Sequence, residues 1–137
     1  MANAPLAHVL IIEDDSELLE ILKFVLEEAG YKVSVSTTGK DVLDLVESEP
    51  VDLAILDVDL QGTSGLDVAR DLRAWSGRDR RLLIALHTGL EENKIREQFL
   101  DYDLFMPKMD DSNKLLELVA GVLTKSDIDV TVATPVA

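Results

Sequence analysis

The residues that most constrain this chain are Leu53-Ala54-Ile55-Leu56-Asp57-Val58-Asp59-Leu60, four apolar side chains running straight into a carboxylate. Pro50 precedes the run and Gly62 follows it. A short apolar run between turn signals reads as a strand buried on both faces. Asp57 then stands at the carboxyl end of a central strand, the edge where open α/β sheets bind ligands. Burying that charge alone is costly, so a cation or hydrogen bonds must face it.

The rest of the chain supplies the sheet. His8–Ile12 is a β-branched run that ends in Glu13-Asp14-Asp15. A helix follows from Ser16 to Ala29, with Leu18, Leu22, Val25, Leu26 and Ala29 on one face, Asp15 or Ser16 as its cap and Gly30 as its stop. Tyr31–Val35 alternates as a second strand. Thr38-Gly39-Lys40-Asp41 has the form of a capping box for a helix carrying Val42, Leu45 and Val46. After the turn-rich Gln61–Gly65 comes a helix from Leu66 to Trp75, with Leu66, Ala69 and Leu72 inward and Trp75 a candidate for the same face. The basic residues of Ser76–Arg81 read as a solvated connector. Leu82–Leu86 is the fourth strand, ending at His87-Thr88-Gly89. Glu91–Phe99 reads as a highly charged, weakly anchored helix, Leu104–Met106 as the fifth strand and Asp111–Leu123 as the last helix. Residues 1–125 then form one domain, and 126–137 a flexible tail. Five strands alternating with five helices imply an α/β fold with a doubly wound parallel sheet covered on both faces.

Composition excludes several functions. The 137 residues fit one domain, and the 47% apolar content favours a folded globule. There is no cysteine, so disulfide, thiol and Cys-zinc chemistry are absent. A net charge of −14 argues against nucleic acid as a partner, because phosphate contacts need clustered Lys and Arg. No apolar run approaches a membrane span and the start lacks the pattern of a signal peptide, so the expectation is a soluble, cytoplasmic protein.

Several reactive side chains fall at the carboxyl ends of the strands. The first strand gives Glu13, Asp14 and Asp15; the third gives Asp57 and Asp59; the fourth gives His87 and Thr88; the fifth gives Lys108. Clustered carboxylates suit a hard cation with oxygen ligands, and Mg²⁺ is the usual one in phosphoryl chemistry. Mg²⁺ with a lysine clamps the oxygens of a transferring phosphoryl group. A carboxylate shielded in this way can be a nucleophile and form an acyl phosphate.

This pattern resembles the receiver domain of two-component response regulators. The resemblance spans about Val9 to Leu123. It rests on Leu10-Ile11-Ile12-Glu13-Asp14-Asp15, Ile55-Leu56-Asp57, Gly62, Gly65 and Met106-Pro107-Lys108. It implies a flavodoxin-like sheet of order 2-1-3-4-5. Asp57 would be the phosphoacceptor for a histidine kinase or histidine phosphotransfer protein. Asp14 would bind Mg²⁺ directly, Glu13 through water and Asp59 through its backbone carbonyl, with Lys108 the family's paired lysine. Phe105 fills the aromatic switch position. The implied output is a change in binding of a downstream protein, or dimerisation, through the face of the fourth helix, fifth strand and fifth helix. With no room for an output domain after Leu123, the expectation is a stand-alone receiver rather than an enzyme, with only slow self-catalysed phosphorylation and dephosphorylation.

The departures from the family pattern define the alternatives. The fourth strand usually ends in a hydroxyl residue followed by a small one. Counting from Ile84-Ala85-Leu86 puts His87 in the hydroxyl position and Thr88 next; a shift of one restores Thr88 to it. His87 could donate a hydrogen bond to the phosphoryl group, or point to solvent and weaken the coupling. Met109 stands where a proline usually follows the lysine, Leu60-Gln61 replaces Met-Pro, and Asp101 replaces a turn glycine. One alternative is a receiver-like domain that binds partners independently of phosphorylation. Another is an aspartyl-phosphate phosphatase built on Asp57-Val58-Asp59, although those enzymes usually place that motif on the first strand.

Overall fold

The computed structural model describes residues 6–60, 62–76, 82–108 and 111–132, with side chains through residue 124. Its spine is a parallel sheet of β1 (His8–Ile12), β2 (Lys32–Ser36), β3 (Leu53–Leu56), β4 (Leu83–Thr88) and β5 (Leu104–Pro107), in spatial order β2-β1-β3-β4-β5. Helices α1 (Ser16–Glu28), α2 (Val42–Ser48), α3 (Gly65–Ser76), α4 (Glu92–Arg96) and α5 (Ser112–Val132) make the connections. A two-residue antiparallel ladder, Asp59–Leu60 with Thr63–Ser64, stands apart from the sheet. The doubly wound, flavodoxin-like fold expected from the sequence is the fold observed. No helix among the described residues is long and apolar enough to cross a membrane.

Alternation along each strand divides the interior into two cores. Val9, Ile11, Leu53, Ile55, Leu83 and Ala85 face α1 and α5, where they meet Leu22, Leu26, Leu115 and Val119. Leu10, Ile12, Ala54, Leu56, Ile84 and Leu86 face the opposite way, against Val42, Val46, Leu66, Leu72 and Ile95 of α2, α3 and α4. Burial on both faces is why the central strands read as unbroken apolar runs.

Several local expectations are corrected. The Thr38 capping box does not form: Thr38 Oγ1 accepts from Lys40 N at 3.1 Å, and Asp41 Oδ1 accepts from the Ser36 hydroxyl at 2.5 Å. Asp15 does cap α1, its Oδ1 accepting from the backbone N–H groups of Glu17 and Leu18. Trp75 is 43% exposed, while Arg73 turns inward instead. β4 runs through His87 and Thr88 because these residues pair with Met106 and Pro107 of β5. α4 has five residues, fewer than the charged stretch suggested. α5 continues past Leu123 to Val132. The loose start at Met1–Pro5, Gln61, most of the basic connector (77–81), Met109 and the end of the tail (133–137) lie outside the described residues.

Candidate functional site

Register assembles the site. β1 and β3 end their ladder at Ile12 and Leu56, and β3 and β4 end theirs at Leu56 and Leu86. The next residue on each strand therefore sets Glu13, Asp57 and His87 along one sheet edge. Backbone bonds extend the ladders to Asp57 and Lys108: Asp57 N donates to Ile12 O at 3.0 Å, and Lys108 N to Thr88 O at 2.9 Å.

Asp57 is 5% exposed and held through both oxygens. Oδ1 accepts from Asp59 N at 3.1 Å, and Oδ2 accepts from Lys108 Nζ at 2.9 Å. Glu13 is 1% exposed. Its Oε2 accepts from Asp15 N at 3.2 Å. Its Oε1 lies 3.2 Å from Lys108 Nζ but is not aligned for a hydrogen bond, so it is a buried oxygen without one. Asp14 is half-buried beside them. Glu13, Asp14 and Asp57 each bring a carboxylate oxygen within 4.8 Å of the others. Three acids this close repel one another, and their oxygens form the donor set a hard cation prefers.

The electrostatics record that crowding. Burial pushes Glu13 up to about 7; the Asp57 charge adds to the shift, while the Asp15 backbone N–H and Lys108 oppose it. Burial works to lower Lys108, but the hydrogen bond and charge of Asp57 and the charge of Glu13 outweigh it, and its pKa is raised. Burial, reinforced by the Lys108 charge and opposed by Asp57, lowers His87 to about 4.

His87 does not point to solvent: it is 3% exposed and lines a cavity between α1 and α5. Thr88 is also buried, and its Oγ1 accepts from Leu90 N at 3.1 Å. Phe105 is half-buried on the α2/α3/α4 side, its ring centroid 6.3 Å from that of Tyr102, whose hydroxyl donates to Glu92 of α4. Asp59 is exposed on the small hairpin and supplies its N–H to Asp57.

Two supporting features went unread in the sequence. A Cβ at Gly65 would lie 1.9 Å from the Asp57 carbonyl oxygen and 2.7 Å from Val58 Cα, so α3 begins against the backbone of the Asp57 loop. The glycine itself was visible as a motif residue; its contact was not. Arg73 of α3 donates to the carbonyls of Leu82 and Asp101 and pairs with Asp103 Oδ2 at 2.7 Å, tying α3 to the approaches of β4 and β5. Its helical position resembles that of a surface arginine, so no sequence signal marked it.

The description "response regulator receiver domain" fits residues 9–120. The chain is 30% identical over 118 residues to the transcriptional regulatory protein CpxR of Escherichia coli, an alignment covering 86% of this chain and 50% of CpxR. It is 33% identical over 85 residues to the uncharacterized transcriptional regulatory protein YkoG of Bacillus subtilis, covering 62% of this chain and 37% of YkoG. The chain thus spans about half or less of these relatives. Among solved structures, the response regulator TrrA of Thermotoga maritima in complex with Mg²⁺-BeF is 28% identical with a TM-score of 0.75, covering 85% of this chain and 99% of that one. A CheY-like receiver domain protein from Methanospirillum hungatei is 25% identical with a TM-score of 0.79, covering 90% and 98%. The fold, the acidic sheet edge and these matches together place the chain in the response regulator receiver domain family of two-component systems.

Proposed function

We propose that Asp57 accepts a phosphoryl group from a histidine kinase or histidine phosphotransfer protein and that the modification changes partner binding. The observation that carries this reading is the buried Asp57 carboxylate, paired with Lys108 at 2.9 Å and crowded by Glu13 and Asp14. In the transfer, a carboxylate oxygen of Asp57 forms a bond to phosphorus as the phosphorus–nitrogen bond of phosphohistidine breaks, and the imidazole nitrogen keeps the electron pair. Lys108 faces the negative charge that the phosphoryl group brings. The Asp59 N–H orients the carboxylate, and Gly65 leaves room for the loop that carries it.

The donor set fits Mg²⁺: all three groups are carboxylates, and the buried Glu13 Oε1 has no hydrogen bond. Asp14 and Asp57 would hold the ion with the Asp59 carbonyl, and Glu13 would act through water. Bound there, Mg²⁺ supplies positive charge that offsets acid and phosphoryl oxygens. The α4, β5 and α5 face passes the signal to a downstream protein or a second copy of the chain. Phe105 and Tyr102, whose tilted rings meet beside α4, are the side chains on which a rearrangement would act.

One observation favours a second reading. The sheet register puts His87 rather than a hydroxyl beside Asp57, and the Thr88 hydroxyl is engaged by Leu90 N. A domain without that hydroxyl could bind its partner regardless of phosphorylation. Intact mass after incubation with Mg²⁺ and acetyl phosphate separates the readings. One added phosphoryl group on the parent and none on Asp57→Asn supports the phosphoacceptor. No adduct on either protein, with a stable phosphoryl mimic also failing to bind, supports the second reading.

A further inference from the structure

The sheet has a second concave feature, on the α1/α5 side and separate from the carboxylate cluster. A cavity of about 150 Å³ lies between the two helices, with apolar walls from Leu18, Ile21, Leu22, Val25 and Leu115. His87 forms its polar wall. It is 3% exposed. A neutral imidazole carries one N–H donor and one acceptor nitrogen, so this wall can hydrogen-bond a ligand.

We propose that this cavity is a binding site for a small neutral molecule with an apolar, ring-sized body and one hydrogen-bonding head directed at His87. Size sets the body: a volume of about 150 Å³ accommodates a benzene ring. Charge sets the head. The apolar walls disfavour an ionised group, and Asp111 at the rim disfavours an anion. The way in is open, since Ile21 is 54% exposed and Asp111 and Ser112 at the start of α5 are exposed as well. Occupancy would matter to signalling because His87 stands beside Asp57 in the sheet register, so any preference of the ligand for one state of the Asp57 site is reciprocated.

Phenol is the probe, titrated into the full chain while the methyl signals of Leu22 and Leu115 and the His87 ring signals are followed by NMR. The expected result is saturable shifts of these signals, with phenol bound about tenfold more tightly than benzene, as one hydrogen bond to a buried partner provides. Benzoate should not bind. Ile21→Trp, at an exposed position where folding is not at stake, should abolish the shifts by closing the mouth. His87→Leu should erase the preference for phenol over benzene. Absence of saturable shifts in the parent would overturn the site. Shifts surviving Ile21→Trp would place phenol elsewhere and overturn it too. Equal affinity for phenol and benzene would overturn the role of His87.

Discussion

Glu13 and His87 sit at the same sheet edge and titrate in opposite senses. In the folded protein Glu13 is raised from 4.5 to about 7. Between those values the native state holds a proton that the unfolded chain has lost. The stability this provides is full below pH 4.5 and is lost as pH rises through 7. His87 is lowered from 6.5 to about 4, so the native imidazole stays neutral while the unfolded one is charged. Its contribution is full above pH 6.5 and is lost as pH falls through 4. Across the overlap the two slopes oppose, and the parent's stability in Mg²⁺-free buffer should vary little between pH 4.5 and 6.5. Removing either group exposes the other. Glu13→Gln should gain about 2 kcal/mol on going from pH 4.5 to 6.5, and His87→Thr should lose about as much. Urea denaturation of the three proteins at the two pH values checks this. Flat profiles for both variants would mean that neither group is perturbed as its burial requires. The residue types at 13 and 87 were legible in the sequence, but the register that sets His87 beside Asp57 was left open by one residue. The burial that decides their charge was not legible, because it depends on α1 and α5 closing over the sheet.

At the scale of elements, α3 does more than its amphipathic pattern announced. Its first residue, Gly65, touches the backbone that holds Asp57, and its third turn delivers Arg73 to Asp103. Leu66, Ala69 and Leu72 could be placed inward from spacing alone, and they are buried. Trp75 could not, because an apolar residue beside the buried arc is outcompeted when Arg73 finds carbonyl and carboxylate partners inside. The Thr38 box failed for a related reason: the Ser36 hydroxyl, at the end of β2, reaches Asp41 first. Both misses are tertiary contacts overriding a local motif. Gly65→Ala should expose the α3 contact. The added methyl overlaps the Asp57 carbonyl, so helix and loop must separate at a cost of about 3 kcal/mol. Gly62→Ala is the comparison: its φ of +72° strains any side chain, but a Cβ there meets nothing. It should cost only about 1 kcal/mol. Thermal unfolding of the two variants distinguishes crowding from backbone strain, and equal losses would remove Gly65 from the supports of the site.

Over the whole molecule, the apolar pattern and the alternation of strands and helices were enough to read the parallel sheet and the edge where the acids gather, while the strand order came from the family resemblance. Pattern and alternation repeat over many residues, so single misjudged side chains do not disturb them. What the pattern could not convey is that the edge works against the stability of the fold. The chain carries a net charge of −14, and three of its acids are gathered within reach of one ion. Lys108 answers Asp57 directly but leaves Glu13 Oε1 without an aligned hydrogen bond. On the proposed function a divalent cation would relieve a repulsion that folding itself creates, and because the unfolded chain offers it no comparable site, binding would add to stability by mass action. At a free Mg²⁺ concentration a hundredfold above its dissociation constant the gain is about 2.7 kcal/mol. For a domain of this size that is a rise of roughly 10 °C in Tm. Sodium chloride at matched ionic strength screens the surface charge without filling the site and should reproduce only a small part of the rise. Asp14→Asn separates the two effects. It replaces one carboxylate of the cluster by a neutral, weaker-ligating amide but keeps Asp15 as the cap of α1, so the fold should survive while most of the Mg²⁺-dependent rise disappears. A rise that is the same in parent and variant would show that the ion acts on the acidic surface at large and not at the sheet edge.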